Sequence, residues 1–164
     1  MAGNDLILFD EEYRRIQEAI ARLQRDSGAL SVFMIDRSGQ SIASAGEVSE
    51  IDATALASLT AGNVAATEGL ASLIGEREFN SLFHEGAKQH IHMSLVAGKV
   101  ILVVIFDERS SLGLVRLRVR KASVDLAAVF NAVTAKAVKD GGSGTADSPF
   151  AEITDDDIDN LFAD

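Results

Sequence analysis

The chain has 164 residues, 47% apolar and 24% charged, with a formal net charge of −10 and no cysteine. That length suits one domain with appendages. The missing thiols exclude a disulfide frame or a cysteine-ligated metal site, and the acidity argues against nucleic acid or an anionic membrane surface as a partner.

The opening MAGNDLILFDEE has no basic region and four consecutive apolar residues, and the longest apolar run, Val100 to Phe106, has seven. Neither a secretion signal nor membrane insertion is expected, and the expected location is the cytoplasm. Asp10 then has the character of a helix N-cap, with Glu11 and Glu12 suited to the positive end of the helix dipole. Tyr13, Ile16, Ile20 and Leu23 recur at helical period, and Arg14, Glu18, Arg22 and Asp26 form an i,i+4 ladder on another face. Gly28 can end this helix.

LSVFMID and QSIASAG read as two strands split by a tight turn at Arg37-Ser38-Gly39. Ile51 to Ile74 reads as a long second helix ending near Gly75, and Phe79 to His84 as a short third strand. HIHMSLVA alternates, with Ile91, Met93 and Leu95 on one face and His90, His92 and Ser94 on the other. Gly98-Lys99 turns the chain into VILVVIF, which is apolar on both faces and therefore calls for cover on both sides. Ser110 or Ser111 can cap a last helix with the stripe Val115, Val119, Ala122, Leu126, Phe130 and Val133, and Asp140-Gly141-Gly142 breaks it.

The order helix-strand-strand-helix-strand-strand-strand-helix, with short connections between successive strands, predicts an α/β fold. Its form is a three-layer α/β/α sandwich around a central antiparallel five-stranded sheet. The domain is expected over residues 1–139, a flexible linker over 140–149 and a tail over 150–164. From Asp147 to Asp164 there are seven acidic residues and no Lys or Arg. Within this tail Thr154 can cap a helix whose first turn is Asp155-Asp156-Asp157, with Ile153 and Ile158 at hydrophobic-staple spacing. Phe150, Ile153, Ile158, Leu161 and Phe162 are the residues expected to dock the tail on a partner; the alternative is a tail that only solubilises.

No phosphate-binding GxxxxGK[ST], dinucleotide GxGxxG or GxSxG elbow is present. The pattern assigns no catalytic residue, cofactor or metal. His90 and His92 with His84 are the only metal candidates, and without a further defined ligand they are better read as parts of a strand face. RLRVRK scatters its charges around a helix, Arg116 and Arg120 on one face and Arg118 and Lys121 elsewhere, which is not a nucleic-acid stripe. An interaction protein is expected rather than an enzyme.

The second helix is apolar on two faces. At about 100° per residue, Leu56, Leu59, Leu70 and Leu73 group on one side, expected to pack on the sheet. Ala57, Ala61, Ala65 and Gly69 form an i,i+4 ridge of small residues on the opposite side. Either a second polypeptide docks on that ridge, or a helix or loop of the same chain covers it.

IDATALASLTAGNVAATEGLASLIGE, FHEGAKQHIHMSLVAGKVILVVIFDERSSLGLVRLRVRKAS and SPFAEITDDDIDNLF together resemble the Roadblock/dynein-light-chain family, in its bacterial gliding-motility and cell-polarity branch. The resemblance runs from Phe9 to Phe162. It implies a Roadblock-type fold and a homodimer joined through the second helix and third strand. It also implies a partner, a Ras-like small GTPase of the MglA type in its GTP-bound form, bound one per dimer. Hydrolysis would be stimulated by favouring a competent GTPase conformation, without an inserted arginine. The resemblance carries GTPase contact onto Ala61, Ala65 and Gly69, and onto Arg14 and Arg15, where the family pattern often has Lys. It further implies that the tail helix docks on the GTPase and aids nucleotide exchange, and that the protein concentrates at a cell pole. The alternative is a non-activating scaffold of the same fold for polarity proteins.

Overall fold

The structure is a computed structural model that describes residues 10–141, and the surroundings of side chains as far as residue 135. Its elements are α1 (Asp10–Ser27), β1 (Ser31–Asp36), β2 (Ser41–Gly46), α2 (Ala53–Leu73), β3 (Ser81–Glu85), β4 (Gln89–Val96), β5 (Val100–Asp107) and α3 (Leu112–Gly141). The expected tail with Phe150, Ile153, Ile158, Leu161 and Phe162, and all but the first two residues of the expected linker, lie outside the described residues. Among the described residues no helix is long and apolar enough to cross a membrane.

The five strands form one sheet in the order β2-β1-β5-β4-β3, antiparallel throughout. β5 is central because successive residues have opposite apolar environments to enter. Val100, Leu102, Val104 and Phe106 join a core with Ile16, Ile20 and Leu23 of α1 and with Val115, Leu126 and Phe130 of α3. Ile101, Val103 and Ile105 join a second core with Phe33, Ile35, Ala57 and Val64. The alternation of a strand thus divides one apolar run between two helical layers. The expected α3 stripe is buried as a whole, whereas Tyr13 of the expected α1 stripe is largely exposed.

Local polar groups fix the ends of the elements. The Asp36 carboxylate accepts from the backbone N–H of Ser38 and of Gln40, both at 3.0 Å, and closes the β1–β2 turn where Gly39 has φ of 96°. Asp52 caps α2 by accepting from the Ala55 N–H at 3.1 Å, and the helix ends at Gly75 with φ of 80°. Of the two serines before α3, Ser111 is the cap and accepts from the Leu114 N–H. Ser110 instead donates to the Ser27 carbonyl and ties the start of α3 to the end of α1.

Gly46 ends β2 with φ of 89°, and a Cβ there would meet the Leu30 carbonyl oxygen at 2.3 Å. Both the conformation and the overlap oppose a side chain. Gly46→Ala is predicted to destabilise the fold by at least about 2 kcal/mol in chemical denaturation; an unchanged midpoint would refute this close approach.

Candidate functional surface on helix α2

α2 is buried through Ala57, Thr60, Val64 and Ala71. This overturns the expected orientation. The leucines do not pack on the sheet: Leu59 is 73% exposed, Leu70 57% and Leu73 81%, and Leu56 is half-buried. The reason is the closeness of the β1–β2 hairpin. A Cβ on Gly39 would lie 3.5 Å from the Ser58 Cα and 3.6 Å from the Ala61 Cβ. Small side chains let the hairpin lie against this turn of α2, while Phe33 and Ile35 of β1 supply bulk from below.

The ridge of small residues is therefore divided. Ala57 is buried and Ala61 half-buried toward the hairpin, while Ala65 and Gly69 are exposed. Ala65 and Gly69 share the outward side with Gly62, Ala66, Leu59 and Leu73, all exposed. Nothing lies within 4 Å of where a Cβ on Gly62 or Gly69 would stand. The one charged residue of α2, Glu68, is drawn aside into an ion pair with Arg37, which also reaches Glu78 at 3.5 Å and donates to the Gly98 carbonyl at 3.0 Å. The outward face thus has a small-residue part and a leucine part, and no charge. On the same side of the sheet Leu82, Ile91 and Leu95 are only half-buried, and β3 forms the sheet edge.

Arg14 and Arg15 are exposed on α1, which covers the other face of the sheet together with α3. Within one subunit they are not brought together with Ala65 and Gly69. The histidines do not gather either. His84 pairs across the ladder with Ile91 and shares its side, whereas His92 pairs with Phe83 on the opposite side. His90 accepts from the Gly86 N–H and lies against Phe83 and Phe106. Among the described residues no cluster of three or more metal-ligating side chains occurs.

Residues 15–106 match the Roadblock/LC7 domain. The chain belongs to the Roadblock/LC7 family. It is 54% identical to MglB of Myxococcus xanthus over 78% of this chain and 96% of that one, with a TM-score of 0.74. It is 32% identical to the gliding protein MglB of Thermus thermophilus, over 80% of this chain and 99% of that one, with a TM-score of 0.75. The same identity, coverage and TM-score hold for a structure described as MglB with a tetrameric arrangement. A search of curated proteins gives no match. The Roadblock/LC7 assignment agrees with the five-stranded sheet and the helix order derived above.

Two features of this Roadblock/LC7 chain were not anticipated from the pattern. One is the exposure of Leu117 (57%) and Val124 (68%) on α3; these two positions lie seven apart and off the core stripe, so the spacing itself held the signal. The other is the burial of His92, 3% exposed and with Nδ1 unpartnered. Burial first and the nearby Arg116 charge second push its pKa below the usual 6.5. The native state then binds fewer protons than the unfolded chain between the lowered value and 6.5. Stability from this site is complete above 6.5 and declines as pH falls through 6.5. The wild type is predicted to lose stability between pH 7 and 5, with a shallower loss in His92→Gln. Parallel denaturation profiles for the two proteins would show that His92 is not responsible.

Proposed function

We propose that this protein is a homodimeric regulator of a Ras-like small GTPase of the MglA type, acting in gliding motility and cell polarity and concentrated at a cell pole. The observation that carries the reading is the open, uncharged face of α2 in a chain 54% identical to MglB. A surface helix normally presents Lys, Glu or Arg to water. This one presents alanine, glycine and leucine, which favours contact with another polypeptide.

The two parts of that face suit two contacts. One α2 helix, about 10 Å across, cannot cover five strands spaced about 4.8 Å apart. A second copy, pairing along the β3 edge and packing Leu59, Leu70 and Leu73, would supply the missing cover. The small residues Ala65 and Gly69, with Ala61 behind them, then receive the GTP-bound GTPase, whose backbone can approach closely where no side chain intervenes. Arg14 and Arg15 reach that partner only from the α1 layer, at the periphery of the assembly.

The family resemblance implies that no arginine is inserted at the nucleotide. On that reading, stimulation of hydrolysis comes from tighter binding of one GTPase conformation, in which the GTPase's own catalytic groups are in place, and each tenfold preference is worth about 1.4 kcal/mol. The regulator needs no active site of its own. The tail, through Phe150, Ile153, Ile158, Leu161 and Phe162, adds a second contact on the GTPase and aids nucleotide exchange.

Phosphate release by the cognate GTPase, measured with and without this protein, tests the reading: acceleration is expected, and binding without acceleration would leave only a scaffold. Ala65→Arg and Gly69→Arg are each predicted to remove GTPase binding with less than about 1 kcal/mol change in stability, since both positions are exposed; retained binding would exclude this surface. Leu59→Arg combined with Leu70→Arg is predicted to yield monomers in sedimentation analysis. Deletion of residues 148–164 should leave the dimer intact while weakening the complex or slowing exchange.

A further inference from the structure

The outer side of α3 is unlike an ordinary solvated helix. Leu117 and Val124 are largely exposed, and Ala128 continues their line. At about 100° per residue these three fall within about 40° of one another and form a narrow apolar ridge. Cations stand on both sides of it. Arg116 and Arg120 are exposed on the side toward the β3 edge, and Lys121 is exposed on the side toward α1. Asp125 lies with Arg22 in the groove toward α1, away from the arginine pair.

Below Arg116 and Arg120 the surface falls into an open groove of about 480 Å³, lined also by His92, Ser94, Ser81 and Asn80. His92 Nδ1 and Ser94 Oγ are buried in this wall and have no hydrogen-bond partner. Two guanidinium groups above two unpartnered polar atoms form a surface suited to carboxylates, and the adjacent ridge suits apolar side chains. An acidic amphipathic segment satisfies both demands.

We propose that the occupant is the chain's own C-terminal segment, with Asp155, Asp156 and Asp157 facing Arg116 and Arg120, and with Ile158, Leu161 and Phe162 on Leu117 and Val124. Charge complementarity is one ground: the segment from Asp147 to Asp164 has seven acidic residues and no basic one. Reach is the other. α3 runs through Gly141, so Arg120 and Arg116 lie about 32 and 38 Å back along the helix axis at about 1.5 Å per residue. The fourteen residues from 142 to 155 have an unconstrained root-mean-square span of about 19–22 Å, and a stretched limit of about 46 Å. The return to Arg116 and Arg120 thus lies beyond the unconstrained span and within the stretched limit, so the segment reaches them by extending. Running parallel to α3, the aspartates would lie beside Arg116 and Arg120, and residues 158–162 would progress from there toward Val124.

This contact belongs to the protein without its GTPase and does not rest on the function proposed above. It is tested by NMR of the full-length protein alone, reading the heteronuclear 15N NOE of residues 155–162. At low salt those values are expected to match the folded body. They should fall to free-chain values in R116E/R120E and in L117Q/V124Q, and also when salt is raised to about 0.5 M, where the Debye length is only about 4 Å. The reversal D155K/D156K/D157K should release the segment, and combining it with R116E/R120E should restore docking. Dispersed amide signals from α3 verify that each variant is folded. A wild-type segment as mobile as that of the charge-reversed protein overturns the proposal. So does an ordered segment that ignores the α3 substitutions, because it would then be held elsewhere.

Discussion

β5 is the constraint on which the rest of the structure depends. A strand apolar on both faces must be covered on both, and its two sets of side chains enter different cores. One set meets α1 and α3 together; the other meets α2 alone. Two helices cover one side of the sheet well. One helix, lying over β1 and leaning toward the β1–β2 hairpin, leaves Leu82, Ile91 and Leu95 half-covered on the other. The subunit is thus unequal about its sheet, and the deficit falls on the side where α2 also turns leucines outward. Two apolar surfaces left open on one side at the same sheet edge are most economically closed by a copy of the same chain, since both partners then lose the same exposure.

Much of the fold could be read from residue patterns because those patterns are local. The alternation in HIHMSLVA assigned its two faces correctly, and the turn at Arg37-Ser38-Gly39 and the helix stop near Gly75 lie where the pattern put them; Asp52, read as part of a helix from Ile51, is instead its N-cap. The orientation of α2 could not be read in that way. Its apolar residues surround the helix, and the rule that larger side chains go inward selected the leucines. What pattern could not give is a contact between two segments of the chain: the hairpin at Gly39 lies against the Ala57–Ala61 turn of the helix. Sequence spacing gives the angular position of each residue but not the thickness of the gap it must fill.

The candidate site was readable in its chemistry and less so in its layout. An alanine-glycine ridge was identified, yet its members divide between interior and surface, leaving Ala65 and Gly69 to represent it outside. Arg14 and Arg15 were grouped with that ridge, but α1 and α2 lie on opposite faces of the sheet, a relation set by strand order and connection handedness rather than by residue type. The apolar pair Leu117 and Val124 was hidden for a different reason: α3 has a complete core stripe without them, so nothing in the helix's own packing asked for a second one.

The opposition of α2 and α3 across the sheet has a consequence for how a tail and a main interface work together. The face proposed for a partner on α2 and the outer side of α3 lie on opposite sides of the sheet. They would compete for the tail. A tail that rested on α3 with docking constant K would reach the proposed site on a GTPase with an affinity divided by one plus K, and a docked fraction of nine-tenths would lower it about tenfold. The α2 contact is untouched by this factor. If both proposals hold, self-docking weakens the proposed tail contact selectively and leaves the proposed α2 contact at full strength, so the balance between them would follow ionic strength and the charges of Arg116 and Arg120 rather than anything on α2.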